Sequence, residues 1–173
     1  MTKTNNKGFS LVELIVVIAI MAVLIGVMAP ALIGNIEKSR ESNDFNTLDT
    51  VYQAVKTAYG DESGNKAARN ASTLGSDISQ GIKVSDILSK SSANVFAKLV
   101  DEYLDGANPK DDLTSDAAKT GSYDVWVKIK DGKISVWIGT KTDVNETIKT
   151  LDESGNPKPF EIGTGAGSAS KTN

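Results

Sequence analysis

One carboxylate, Glu13, lies at the start of a long apolar run, where its charge needs a partner. It follows Phe9 by four residues, and the next charged residue is Glu37. An unpaired carboxylate in hydrocarbon costs about 2.5–3.5 kcal/mol or more, depending on depth. A segment that served only as an anchor would not normally carry a carboxylate there, so Glu13 is predicted to pair with a specific cation.

The apolar run over residues 14–33 is long enough to cross a membrane. As a helix it would extend about 30 Å, the thickness of a bilayer's hydrocarbon core, which is too long for the apolar part of an ordinary secretory signal. Lys3 and Lys7 precede it, whereas Glu37 and Glu41 follow it. This charge asymmetry predicts that the amino end faces the cytoplasm and that the body of the chain lies outside.

Composition excludes several kinds of site. The chain contains no His and no Cys, which removes imidazole acid–base chemistry, thiolate nucleophiles, the usual zinc ligand sets and disulfides. The net charge of −3 gives no basis for binding nucleic acid through phosphate contacts. The sequence therefore predicts no catalytic residue, cofactor or metal site, and the chain is not predicted to be an enzyme.

The segment around Glu13 resembles the processing site of a type IV pilin. The resemblance rests on the short basic leader, the apolar run with Pro30, and the string Lys7-Gly8-Phe9-Ser10-Leu11-Val12-Glu13-Leu14. It implies that a prepilin peptidase removes residues 1–8 by cutting between Gly8 and Phe9 and then methylates the new amine of Phe9.

The resemblance also implies a partner for Glu13. In that family the corresponding carboxylate is thought to meet the Phe9 amine of a neighbouring subunit in the growing filament. The reference pKa of an α-amine, about 7.7–8.0, leaves it mostly charged near pH 7, and pairing avoids two lone buried charges. The alternative is that Glu13 only reaches toward lipid headgroups.

Small residues recur every fourth position inside the apolar run, at Ala22, Gly26, Pro30 and Gly34. Such spacing places them near one helix face, where they let helices approach closely. Pro30 cannot donate a hydrogen bond to the carbonyl of Gly26, so the helix should be weakest there. This pattern predicts a hinge that melts on filament entry, as family members show; the alternative is membrane packing with a mild kink.

The apolar pattern after Asn35 is that of an amphipathic helix. Its stripe consists of Ile36, Phe45, Leu48, Val51, Tyr52, Val55 and Tyr59. We therefore predict one helix from Phe9 to about Tyr59, with residues 9–36 in the membrane or filament core and residues 37–59 docked on a head. A helix lying on a membrane surface is disfavoured because the charges are mixed.

The rest of the head, residues 37–162, divides into a connecting region and a β-region. For residues 60–122 we predict a loop over 60–81, short helices over 84–88 and 95–104, and a polar connection over 111–122. The β-region, residues 123–162, begins with a hairpin around Asp131-Gly132 and continues with short strands over 147–152 and 158–162. Residues 163–173 are predicted to be a flexible tail.

Pairing Lys130 with Lys133 fixes the register of the hairpin. One face then carries aliphatic side chains, which should cover the long helix: Val125, Val127, Ile129, Ile134, Val136 and Ile138. Trp126 falls opposite Trp137 on the other face. This Trp pair is predicted to form a second small core, with an exposed ligand platform as the alternative.

The string Asp-Glu-Ser-Gly-Asn occurs twice, at residues 61–65 and 152–156. Two acids beside a Gly turn could hold Ca²⁺, but the alternating acids of an EF-hand loop are missing. Ordinary turn chemistry is the favoured interpretation.

These patterns together predict an α+β pilin fold, in which a long N-terminal α-helix packs against a small antiparallel sheet, with short helices in the connecting region. The resemblance implies a structural subunit of a type IV pilus that moves from the cell membrane to an extracellular filament used for attachment, motility or biofilm formation. Its implied partners are identical subunits, the prepilin peptidase and methyltransferase, the pilus assembly machinery and the membrane. The alternatives are a minor pilin, a pseudopilin of a secretion system, or a membrane-anchored extracellular enzyme or binding module.

Overall fold

The computed structural model describes residues 9–70, 72–120, 123–139, 149–151, 157–159 and 161–163. The chain divides into two compact units, Met1–Lys38 and Ser39–Asn173. The predicted leader over residues 1–8 lies outside the described residues, as does the predicted tail apart from Gly163.

Helix α1 spans Leu11–Gly60, so the prediction of one long N-terminal helix is confirmed. From Leu11 to Ile25 its residues are aliphatic apart from Glu13 and Met21, and Pro30 lies within the helix. Between residues 39 and 60, the buried apolar residues of α1 recur at spacings of three and four, which is the signature of one buried helix face; they are Leu48, Val51, Ala54, Val55 and Ala58.

Short helices and a 3₁₀ turn follow α1 in the described residues: α2 (Glu62–Ala68), α3 (Gly75–Gln80), α4 (Val84–Leu88), α5 (Val95–Tyr103), a 3₁₀ turn (Pro109–Asp112) and α6 (Asp116–Thr120). Helices α4 and α5 lie where they were predicted. The predicted loop over residues 60–81 is wrong, because it contains α2 and α3. The polar connection over residues 111–122 is also more regular than predicted, because it contains the end of the 3₁₀ turn and α6.

Local capping helps α2 and the 3₁₀ turn to form within these polar segments. The carboxylate of Asp61 accepts a hydrogen bond from the amide of Gly64 at 3.0 Å and so caps the N-terminus of α2. Asn108 caps the 3₁₀ turn, with its side chain accepting from the amide of Lys110. Asp and Asn are preferred caps because their short side chains satisfy amides that lack intrahelical partners.

The strands are β1 (Ile82–Lys83), β2 (Asp124–Lys130), β3 (Lys133–Gly139), β4 (Lys149–Leu151), β5 (Pro157–Pro159) and β6 (Glu161–Gly163). Four of them form an antiparallel sheet in the order β1-β2-β3-β6, while β4 and β5 pair separately. Strand β1 was not predicted. The predicted strand over 158–162 is wrong as a single element, because β5 and β6 belong to different sheets.

The β2–β3 hairpin has the predicted register, from Lys130 opposite Lys133 to Val125 opposite Ile138. Asp131 and Gly132 form its turn with φ values of 52° and 76°. Positive φ at both central residues suits the twist of a two-residue hairpin, and Asp-Gly is a preferred pair for it. The predicted α+β class, a long helix with a small antiparallel sheet and short helices, is therefore confirmed.

The core of the second unit joins α1 to one face of the hairpin. The aliphatic residues of that face, Val125, Val127, Ile129, Ile134, Val136 and Ile138, are all buried in the same cluster as Leu48, Val55 and Phe96. Phe45 and Tyr52, which were predicted in the core, are half-buried and pack against its edge.

Candidate assembly site

The first turn of α1 contains a reciprocal cap formed by Ser10 and Glu13. The carboxylate of Glu13 accepts a hydrogen bond from the backbone amide of Ser10 at 2.9 Å, and the hydroxyl of Ser10 accepts from the amide of Val12 at 3.4 Å. This is the capping-box arrangement, in which an acid at the third helical position reaches back to the cap residue. The spacing Ser-x-x-Glu in the sequence signals this cap, but sequence reasoning missed it.

The residues around the predicted cleavage site lie next to this cap. The side chain of Phe9 is 89% exposed, whereas Gly8 is outside the described residues. Glu13 thus lies one turn into a helix whose start is set by residues directly after the predicted scissile bond. The arrangement keeps its carboxylate near the amino end of the chain that cleavage would create.

The first half of α1 presents apolar side chains that the chain itself does not cover. It is long and apolar enough to cross a membrane by length and composition, and none of that stretch is buried within the chain. Ala22, Gly26, Pro30 and Gly34 all lie in this helix. A Cβ atom added at Gly26 or Gly34 would meet nothing within 4 Å, so this stretch leaves room for a close-packed partner helix.

A second carboxylate, Asp44, is fully buried where α1 enters the second unit. It accepts hydrogen bonds from the amides of Thr114 at 2.7 Å and Ser115 at 3.1 Å, and from the hydroxyls of both residues. Ser115 in turn caps α6, because its hydroxyl accepts from the amide of Ala118 at 3.2 Å. Asp44 therefore fastens the segment before the hairpin to α1.

The Trp pair is buried on the face of the sheet opposite the aliphatic core. Trp126 is 7% exposed and Trp137 is 0% exposed, and their rings stack with centroids 6.4 Å apart. The Nζ atom of Lys83 lies 5.6 Å from the centroid of the Trp126 ring, within cation–π distance. Their burial contradicts an exposed ligand platform and agrees with a second small core.

The described copy of the Asp-Glu-Ser-Gly-Asn repeat forms a helix cap. Hydrogen bonds from the Ser63 hydroxyl and the Gly64 amide lower the pKa of Asp61, because they stabilise the ionised carboxylate. Among the described residues, no group of three or more acidic side chains is placed to hold a metal ion. The second copy, at 152–156, lies outside the described residues.

Comparisons with known proteins give a family model and a fimbrial relative that match parts of the chain. Residues 3–29 match the family model described as the prokaryotic N-terminal methylation motif. Fimbrial protein EcpC of Eikenella corrodens is 34% identical over 89 residues, an alignment that covers 49% of this chain and 58% of the relative. The chain thus spans somewhat more than half the length of that relative. No solved structure matches the chain significantly.

Proposed function

We propose that this chain is a structural subunit of a type IV pilus. The observation that carries the proposal is the continuity of the methylation motif over residues 3–29 with a helix whose apolar first half stays uncovered within the chain. The matched motif includes residues 3–8 of the predicted leader and so supports the proposal. An apolar surface of this length needs lipid or other copies of the helix around it.

Processing creates the group that assembly requires. A prepilin peptidase is proposed to cut between Gly8 and Phe9, and the new α-amine of Phe9 is methylated. The mature chain then begins two residues before Leu11, the first residue of α1. Residues 9–36 form the membrane and filament-core segment and residues 37–162 form the head.

Assembly brings the carboxylate of Glu13 to the Phe9 amine of a neighbouring subunit. Within the described part of the chain, this carboxylate accepts a hydrogen bond from the amide of Ser10, and a carboxylate can accept several. A neighbour's amine can therefore bind without removing the cap. Gly26 and Pro30 supply the weakest backbone of the apolar stretch, which gives way as the helix enters the filament core.

The cellular location of the protein is proposed from the same apolar segment, residues 9–36. The precursor is held in the cell membrane with its amino end cytoplasmic and its head outside, and the mature chain moves into the extracellular filament through the pilus assembly machinery. Attachment, motility or biofilm formation is the filament's role, and the chain acts as a structural protein without an enzymatic site. A minor pilin or pseudopilin is the alternative use of the same segment, and abundance in the filament separates it from a major pilin.

Mass spectrometry of surface filaments sheared from producing cells tests the proposal. We expect the principal filament protein to start at N-methylated Phe9. The same mature chain at trace level would indicate a minor pilin, and a surface chain that still begins at Met1 would support an anchored module instead.

A further inference from the structure

The tip of the hairpin forms one wall of a small hollow on the second unit, with a volume of about 330 Å³. Its floor is apolar and buried, made by Ala68, Ile78 and Ile129. Its rim carries Arg69, together with Asp131 from the hairpin turn. A volume near the lower end of the usual range for ligand sites, about 300–1,000 Å³, has room for one aromatic side chain.

The cation on the rim is held in place before anything binds. The Nε and Nη2 atoms of Arg69 donate to the Tyr59 hydroxyl at 3.3 and 3.1 Å, and the guanidinium lies 5.9 Å from the centroid of the Tyr59 ring. A fixed guanidinium loses less conformational entropy on binding than a mobile one. The hollow is therefore a preformed site with an apolar floor and a positioned positive charge.

A complementary feature lies elsewhere on the same unit, at the end of α5. Tyr103 is 51% exposed, which makes it the most exposed aromatic side chain among the described residues of the head. Asp101, Glu102 and Asp105 surround it in sequence without an intervening base. Tyr is enriched at protein interfaces because it offers a large rigid apolar area and a polar tip.

Charge and chemistry match between the two features. Lys130 and Lys133 flank the hairpin turn and are exposed, so with Arg69 they give the rim a positive excess over Asp131. The acids beside Tyr103 complement that excess of positive charge. The carboxylate of Asp131 can accept a hydrogen bond from the hydroxyl of Tyr103. Such complementarity favours one docking register over others.

The two features lie on opposite flanks of α1. Tyr103 lines a groove with Thr50 and Thr57, whereas Tyr59 lines the hollow. Thr50 and Tyr59 are nine positions apart, about two and a half helical turns, so their side chains leave α1 in opposite directions. A chain cannot fill its own hollow with its own Tyr103, and a contact between the two features must join two chains head to tail.

We propose that Tyr103 of one copy inserts into the hairpin-tip hollow of the next copy. A head-to-tail contact uses two different surfaces, so it can repeat from copy to copy, and it generates an open helical assembly when the rotation between copies does not close a ring. The inference rests on the proposed function, since it adds a contact between heads to a filament held by the N-terminal helices. It names the partner of the hollow as a second copy of this chain.

Thiol cross-linking tests the contact directly, because the wild-type chain contains no Cys. The variant carries Glu102→Cys and Lys133→Cys, one beside each feature, and its sheared filaments are treated with a short bis-maleimide. We expect a ladder of covalent oligomers. The matched control carries Lys133→Cys with Lys119→Cys, an exposed residue on α6, and should stay monomeric.

The outcomes separate this contact from the proposed function. Filaments that contain the variant but give no ladder would overturn the contact and leave the pilus proposal standing. A product that stops at the dimer would show a closed pair and would also overturn it. Wild-type chains that are never found in filaments would overturn the pilus proposal together with this contact.

A second variant tests the role of the aromatic side chain without introducing a thiol. Tyr103→Ala should lower the yield of sheared filaments several-fold, whereas Val95→Ala, which truncates a 48% exposed residue of the same helix, should leave it unchanged. Equal yields from the two variants would contradict the insertion of Tyr103.

Discussion

The buried carboxylate of Asp44 accepts hydrogen bonds from both the backbone amide and the hydroxyl of Ser115, 71 residues later in the chain. Asp44 is on α1, and Ser115 precedes α6 and the hairpin. A buried carboxylate needs hydrogen-bond donors around it to offset its loss of contact with water. This pair therefore fixes the segment that leads into the sheet against the helix.

Removing that carboxylate should destabilise the head. Asp44→Ala leaves the donors of half-buried Thr114 and buried Ser115 without an acceptor, and we expect a loss of about 2 kcal/mol or more. Thermal unfolding of the full chain in detergent, followed by Trp fluorescence, measures it. Asp49→Ala, at a half-buried acid of the same helix, is the control and should cost under about 0.5 kcal/mol; equal losses would show that Asp44 does not hold the segment.

The Trp pair allows a comparison between one indole that donates a hydrogen bond within the described part of the chain and one that does not. The Nε1 of Trp126 donates to the carbonyl of Gly139 at 3.0 Å, whereas the buried Nε1 of Trp137 has no partner among the described residues. Trp126→Phe should therefore destabilise the chain by about 1 kcal/mol more than Trp137→Phe. Chemical denaturation followed by circular dichroism would show this, and the reverse order would contradict the assigned hydrogen bond.

The hairpin was predictable to the residue, whereas α2 and α3 were not. Alternating aliphatic residues around Asp131-Gly132 set the register locally. The segment of α2 and α3 is rich in Gly, Ser and Asn, and distant contacts order it. The side-chain amide of Asn94 donates to the Ala67 carbonyl at 3.2 Å and to the Thr73 hydroxyl at 2.9 Å, and no local pattern announces such bonds.

The functional features of the chain were likewise only partly predictable from its sequence. The methylation motif and the apolar run are continuous in sequence, so they were predictable from it. The hollow at the hairpin tip was not, because its floor joins Ala68, Ile78 and Ile129 from three separate elements. Only the folded chain brings these side chains together.

Close packing around Gly64 gives a further prediction. A Cβ atom at this position would overlap the backbone carbonyl oxygen of Ala58 and lie 3.0 Å from Cδ1 of Leu99. Gly64→Ala should therefore destabilise the head by about 1–3 kcal/mol, although Ala is the better helix former. Gly60→Ala is the matched control, since nothing lies within 4 Å of its added Cβ, and its melting temperature should not fall.

Glu161 on β6 should make stability depend on pH. Burial raises the pKa of its carboxyl above the ordinary value of 4.5, against the opposing effects of a hydrogen bond with Ser135 and the charge of Lys128. The folded chain then binds the proton of Glu161 more tightly than the unfolded chain, so protonation stabilises the fold. This stabilisation is complete below the pKa that Glu161 has in the unfolded chain, and it is lost as the pH rises through the pKa that Glu161 has in the folded chain.

Replacing Glu161 with Gln removes this dependence. We expect Glu161→Gln to melt at a higher temperature than the wild type at pH 7, with the difference shrinking as the pH falls toward about 4. Glu62→Gln, at an exposed acid of α2, serves as control and should show no such trend. A Glu161→Gln variant that is less stable than the wild type at pH 7 would show that the ionised carboxylate is favoured by the fold.

The two roles of Glu13, helix cap and assembly charge, can be separated by choosing the substitution. Glu13→Gln keeps an oxygen able to accept from the Ser10 amide, as capping boxes use Glu or Gln alike, but it removes the charge that would pair with a neighbour's Phe9 amine. We expect the variant to be cleaved after Gly8 at the wild-type rate and to yield at least tenfold fewer filaments, measured by mass spectrometry of membranes and sheared surface material. Glu13→Ala loses the cap as well, so helix α1 should also fray at its first turn, seen as faster amide exchange at residues 10–14. If Glu13→Gln produced normal filaments while Glu13→Ala did not, the cap rather than the charge would be what assembly requires.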